Sequence, residues 1–214
     1  MDPFRFFTKL DQPILLGKKA RNVSELYEGI MTVPPSSIYY HTHRFLQQHH
    51  YLSPEPPNDF AYWVTGMLND ALLGERLWSI DTIQFHNIGD LRERLAGILK
   101  QYGSKTSNKR IQCPEGHEFH FIACRTFALP TRYTASTLGE FRDILEKITI
   151  ASLYFHIFDA KLRLENNEND FSRWFRDLGK PALADEVMRL DPYTQTLEGL
   201  RKRLLHLAER HDKN

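Results

Sequence analysis

The sequence predicts an α+β fold dominated by helix, made of two tandem copies of one unit, each a short β element followed by about five short helices. Three observations predict it. Short aromatic runs of strand composition at Phe4 and Phe119 each precede a long stretch of apolar positions at helical spacing. The motif order of the first half returns in the second. Phe4 and Phe6 match Phe119 and Phe121, and Ser37 to His41 (SIYYH) matches Ser152 to His156 (SLYFH), since 119 minus 4 and 156 minus 41 are both 115. Asn58, Asp59, Phe60 and Trp63 then match Asn169, Asp170, Phe171 and Trp174 at 169 minus 58, or 111, so the second copy lacks about one helical turn.

In chain order, Phe4–Leu10 and Ile14–Gly17 flank Asp11, Gln12 and Pro13 and read as a hairpin or two small strands. Asn22 and Glu25 have capping-box spacing, so a helix should follow with Leu26, Ile30 and Val33 on its apolar face until Pro34 and Pro35 stop it. Ser36 or Ser37 caps the next, whose buried stripe takes Ile38, His41 and Phe45 with Leu46 and His49. Pro54, Pro56 and Pro57 break the chain, and Asn58 or Asp59 starts a helix through Phe60 and Trp63. Two further helices fit Ala71–Trp78 and Ile88–Tyr102. The second half repeats the scheme: Thr137 and Glu140 match Asn22 and Glu25, Ala182, Leu183 and Glu186 match Ala71, Leu72 and Glu75, and Leu200, Arg201, Arg203 and Leu204 match Leu91, Arg92, Arg94 and Leu95. The boundaries this implies are 3–103 for the first repeat, 104–116 for a linker and 117–211 for the second. The aromatics of each copy are best buried if the two pack about a pseudo-twofold axis as one globular body; the rival arrangement is two separate domains.

Composition narrows the function classes. Lys and Arg nearly balance Asp and Glu, for a net charge of +1, and the charges are interspersed, so no sequence-wide field invites nucleic acid or an anionic membrane. No signal-peptide pattern and no run of about 20 apolar residues is present, which points to a soluble, cytoplasmic chain. Two cysteines, Cys113 and Cys124, make no disulfide framework. Dinucleotide-binding, P-loop and α/β-hydrolase motifs are missing.

The duplication supplies an internal control. Tyr39, His41, Asn58, Asp59, Phe60 and Trp63 have identical partners in the second half, so their first reading is scaffold: a buried hydrogen-bonded histidine and helix-capping Asn-Asp. His43, His49, His50 and the loop Ser53–Pro57 have no counterpart, and His43, Gln47 and His50 share one face of an ideal helix. Imidazole and amide donors beside Tyr40, Tyr51 and Tyr62, with a proline-stiffened loop, suit a polar or sugar-like ligand. The candidate binding set is therefore Tyr40, His41, His43, Gln47, His49, His50, Glu55 and Asp59. The competing reading is a solvated face with incidental histidines. A metal would need three or four converging ligands, and the spacing is not that of HExxH; Cys113, His117, His120 and Cys124 lack the paired CxxC knuckle. No metal or other cofactor is assigned. His120 alternates with Phe119 and Phe121 and points away from the core.

The motif SSIYYHTHRFLQQHHYLSPEPPNDFAYW, with GHEFHF, ASLYFHIFDAKLRL and LDPYTQTLEGLRKRL, resembles a conserved bacterial and archaeal domain family of unknown function over nearly the whole chain. The resemblance carries over no activity, cofactor or catalytic residue; an association with carbohydrate metabolism and glycosyltransferases is what it suggests. The expectation is a non-catalytic binding or accessory protein that engages a small polar ligand or a partner protein. The alternative is an enzyme with His43, His49 or His50 as general acid or base, aided by Glu55 or Asp59. Nucleic acid and membrane are not expected partners, and the residues do not specify an oligomeric state.

Overall fold

A computed structural model describes residues 2–48, 58–105, 111–164, 168–190 and 196–213. The fold is α+β and mostly helical. In order come β1 (Phe4–Ala20), α1 (Val23–Thr32), α2 (Pro35–Gln48), α3 (Asp59–Met67), α4 (Ala71–Trp78), a 3-10 turn (Thr82–Gln84), α5 (Ile88–Lys105), β2 (Phe119–Ala135) and α6 (Leu138–Leu145). Then follow α7 (Ile150–Tyr154), a π-helical turn (Phe155–Asp159), α8 (Ala160–Leu164), α9 (Asp170–Asp177), α10 (Pro181–Met188) and α11 (Leu197–Asp212). No helix among the described residues is long and apolar enough to cross a membrane.

β1 and β2 pair as a two-stranded antiparallel sheet. The break expected at Asp11–Pro13 does not occur, and β1 runs through it for 17 residues. In a two-stranded sheet each strand keeps one unpaired edge, where the N–H that proline lacks breaks no ladder bond, so Pro13 in β1 and Pro130 in β2 are both tolerated.

The chain divides into two compact units, and both dividing lines fall inside strands. Among the described residues one unit takes 11–48 and 58–125, and the other takes 2–10 and the residues from Thr126 onward. In the first unit Asn22 accepts the Glu25 N–H at 2.9 Å, while the Glu25 carboxylate accepts the Arg21 N–H, one residue farther back than the usual capping box reaches. α1 ends ahead of Pro34, and Pro35 takes the first position of α2, where a missing N–H leaves nothing unsatisfied. Arg92 of α5 donates to the Val33 carbonyl at 2.7 Å, tying α5 to the end of α1. Leu26, Ile30, Ile38, Phe60 and Val64 form the core, and Phe119 and Phe121, from the start of β2, fill its open side. Each such ring buried is worth about 1.5–3 kcal/mol before chain entropy is subtracted.

The second unit is assembled from the same kinds of parts. Thr137 caps α6 by accepting the Glu140 N–H at 3.2 Å, and the Glu140 carboxylate accepts the Ser136 N–H. Thr149, Asn169 and Thr196 cap α7, α9 and α11, and Pro181 begins α10. Phe4 and Phe6, from the start of β1, pack against Phe141 and Phe171 in tilted and edge-on contacts. α11 buries Leu200, Leu204, Leu207 and Ala208 together with Arg201, and its other basic residues lie along the outer face of an amphipathic helix.

Candidate functional site

His41 sits on the buried face of α2, 3% exposed. Asn58 caps α3 by accepting the Ala61 N–H at 2.8 Å, and its amide donates to the Leu77 carbonyl at 3.0 Å. That cap fixes Asp59 at the helix start, with its Oδ2 2.7 Å from Nδ1 of His41. The other ring nitrogen, Nε2, accepts the backbone N–H of Ile122 in β2 at 2.9 Å. An Nε2 that accepts carries no proton, so Nδ1 holds the hydrogen and donates it to Asp59. Both nitrogens are thereby committed, and the ring lies 4.7 Å from Phe119 and 5.5 Å from Phe60. The imidazole joins a helix to a strand.

A second set of residues makes the same contacts. Asn169 caps α9, Asp170 Oδ2 lies 2.7 Å from His156 Nδ1, and His156 Nε2 accepts the Phe7 N–H at 2.8 Å. Ser152 adds a bond from its hydroxyl to the Phe7 carbonyl. Phe4 and Phe171 flank the ring at 5.0 and 5.3 Å.

Of the residues singled out from sequence, His41 and Asp59 are therefore in direct contact. Tyr40 is half-buried, edge-on to His41 at 5.1 Å, with the Arg44 guanidinium 4.7 Å from its ring centre. His43 is 2% exposed, its Nδ1 2.9 Å from the Thr42 hydroxyl and its ring stacked on Tyr39 at 5.2 Å. His49, His50, Glu55 and the side chain of Gln47 lie outside the described residues. Around Cys113 the chain is tied by the Cys113 N–H to the Arg21 carbonyl at 2.8 Å, and the His117 carbonyl accepts the Trp63 indole N–H at 2.7 Å. Burial, and then the Glu118 carboxylate, push the Cys113 thiol up from its ordinary value. His120 is exposed, as alternation along the strand implies. Among the described residues no three His, Cys, Asp or Glu side chains converge as a metal would require.

Two features escaped the sequence reading. The first is a buried ion pair, with Lys9 Nζ 2.6 Å from Asp159 Oδ2 on the π-helical turn and 4.9 Å from the Tyr154 ring centre. The second is a cavity of about 430 Å³ beside His156 and Asp170, walled by Phe4, Phe155 and Trp174 and edged by Arg5, Arg173 and Asp177. Arg5, Trp174 and Asp177 also line an adjoining cavity of about 470 Å³. Trp174 is 6% exposed, and its indole N–H has no hydrogen-bond partner among the described residues, unlike that of Trp63. A buried donor left this way costs about 1–3 kcal/mol. The signal was available: Arg5, Arg173 and Asp177 fall opposite His120, Tyr62 and Gly66 in the half-to-half matching, so they are residues peculiar to one half.

Comparison with known proteins adds a family and a fold. A family model described as "Family of unknown function (DUF5752)" matches residues 1–209. The solved structure of OrfY from Thermoproteus tenax is similar at 29% identity and a TM-score of 0.82, covering 99% of this chain and 96% of that one. No curated protein matches.

Proposed function

We propose, from the premise that the chain belongs to DUF5752, a family of unknown function, that it is a non-catalytic binding or accessory protein for a polar ligand or a partner protein. The observation that carries the reading is the commitment of both ring nitrogens of His41 and of His156 to a carboxylate and a strand N–H. An imidazole so held positions a strand and has no free nitrogen for proton transfer. Sugar-like ligands suit the residue types of the sequence from Tyr40 to Asp59, its imidazole, amide, carboxylate and tyrosine groups.

The scaffold itself we read as a tandem duplication whose copies exchange their first strands. Matched contacts support this. Ile122 and Phe7, which bond to His41 and His156, stand 122 minus 7, or 115, apart, the same offset as the two histidines. Arg92 donates to the Val33 carbonyl and Arg201 to the Ile148 carbonyl, and 148 minus 33 is again 115.

Calorimetry and thermal-shift screening of the whole protein against neutral sugars, sugar phosphates and nucleotides test the binding reading. A saturable ligand that is recovered unchanged is expected. His41→Ala should lower stability by about 2–4 kcal/mol, because a ring is lost from the core and the Ile122 N–H loses its acceptor. Below its melting range the variant should still bind. A ligand that is turned over, with turnover abolished by His41→Ala at unchanged stability, would replace this reading with an enzymatic one.

A further inference from the structure

We propose that the cavity edged by Arg5, Arg173 and Asp177 is a binding site for a small oxyanion-bearing molecule, a phosphate or carboxylate that also carries hydroxyl or ammonium donors. The inference deepens the polar-ligand reading and rests the site on residues of the second unit.

Four observations carry it. First, Arg5 and Arg173 edge one cavity, and neither guanidinium makes an ion pair or side-chain hydrogen bond among the described residues. Several other arginines of this unit are engaged, Arg176 with Glu168 and Asp185, Arg201 with Glu198 and Arg210 with Glu186, while Arg189 and Arg203 are unpaired among the described residues but do not line this cavity. Two open guanidinium forks facing the same space are the donor set that phosphate and carboxylate recognition uses.

Second, the wall between them contains a buried donor with nothing to donate to. Where Trp63 gives its indole N–H to the His117 carbonyl, Trp174 lines the cavity and leaves its own unpaired. The nitrogen itself is covered, so the ring offers a ligand an apolar face, and its N–H meets a ligand acceptor only if the ring turns as the ligand seats.

Third, Asp177 is a carboxylate on the rim with no partner among the described residues, while Asp170 is engaged by His156. A carboxylate lining the same cavity as two arginines selects a ligand with donors of its own over a bare anion. Phe4, Phe155 and Trp174 offer it apolar walls.

Fourth, the charged rim is peculiar to this unit. His156, Asp170, Phe4 and Trp174 are matched by His41, Asp59, Phe119 and Trp63, whereas Arg5, Arg173 and Asp177 face His120, Tyr62 and Gly66. A shared scaffold with a different rim is how one copy acquires a ligand the other lacks.

Isothermal titration of the whole protein with glucose 6-phosphate, glucuronate and glucose reads the site directly. Either charged probe, or both, should bind at least tenfold more tightly than glucose, and which one binds identifies the oxyanion. Arg5→Ala and Arg173→Ala should each weaken that binding about tenfold or more without loss of fold by circular dichroism, since both side chains are exposed. Trp174→Phe keeps the ring and removes the donor, and should weaken binding by a smaller factor. Tyr62→Ala, at the position matched to Arg173, should leave it unchanged. The proposal is overturned if neither charged probe binds at millimolar concentration, or if the Arg5→Ala/Arg173→Ala double variant binds as the native protein does. Binding that survives the double variant and disappears in Tyr40→Ala would overturn this site and leave the polar-ligand reading of the first half standing.

Discussion

Gly29 shows how closely β2 approaches α1. A Cβ built there would lie 2.1 Å from Cζ of Phe121, so a methyl group must displace a ring that is 1% exposed. Gly29→Ala is expected to destabilise by about 1–3 kcal/mol, seen as a lower urea midpoint at unchanged slope. Gly97 in α5 is the control: nothing lies within 4 Å of its added Cβ, so Gly97→Ala should stabilise by about 0.5–1 kcal/mol through helix propensity alone. The raised thiol of Cys113 makes a chemical prediction. Desolvation acts first, Glu118 adds to it and Arg21 opposes, so the thiolate fraction near neutral pH is below that of free cysteine. Alkylation by iodoacetamide at neutral pH should therefore be slower than for a free cysteine and should catch up as pH rises; a rate at or above the free value would contradict the burial account. At this scale the sequence made His41 and Asp59 visible as residue types, and their helical and capping positions were legible. The third partner was not. Ile122 bonds through its backbone N–H, which every residue but proline carries, so no side-chain pattern marks it.

Helix boundaries were legible because side-chain chemistry sets them. Asn22, Asn58, Thr137 and Asn169 accept N–H groups where their spacing implied, and Pro34, Pro35 and Pro181 sit at ends or first turns. The long strands were hidden by Pro13, since the cost of a proline depends on which strand edge it occupies and the edge is set by a distant partner. Two contacts between elements invite measurement. Arg201, 8% exposed, donates to the carbonyls of Leu145, the last residue of α6, and of Ile148 just after it, and also holds Glu198. Arg201→Met keeps the stem and removes the donors, so it should cost about 2–3 kcal/mol and raise amide exchange between α6 and α7. Glu186 on α10 joins His211 and Arg210 on α11, and its carboxyl is held below the usual range by the His211 hydrogen bond first and the Arg210 bond second. A carboxyl with a depressed value in the folded state adds stability above its unfolded value of about 4.3 and loses it as pH falls through the folded value. Glu186→Gln should thus be less stable than the native chain near neutral pH, by less than about 1 kcal/mol for a pair this exposed, with the gap closing as pH falls below about 4. A gap that widened on acidification would reverse the assignment.

The whole chain poses a question about cutting. Read along the sequence, the repeats run 3–103 and 117–211; read by compactness, each unit's helices enclose strand residues from the other end of the chain. Phe119 and Phe121 lie in the core with Leu26, Ile30 and Phe60, and His41 bonds to Ile122, all three strand residues being C-terminal to residue 110. Phe4, Phe6 and Phe7, N-terminal to it, meet Phe141, Phe171 and His156. The aromatic pattern could not by itself reveal the proposed exchange, because a strand that packs on its own helices and one that packs on another copy's helices have the same alternation. Cleavage tells them apart. A protease site inserted between residues 106 and 110 yields one fragment carrying α1 to α5 without Phe119 and Phe121, and another carrying α6 to α11 without Phe4 and Phe6. Each fragment then lacks two or more large apolar side chains worth about 1.5–3 kcal/mol apiece and leaves the Nε2 of one buried histidine without its N–H donor. Against a domain stability of about 5–15 kcal/mol that is a large fraction of the whole. The cut protein should therefore elute as a single non-covalent complex with native circular dichroism, and fragments parted in urea should regain that spectrum only when remixed. If each fragment refolds alone and the two elute apart, the strands are not exchanged and the repeats are independent domains.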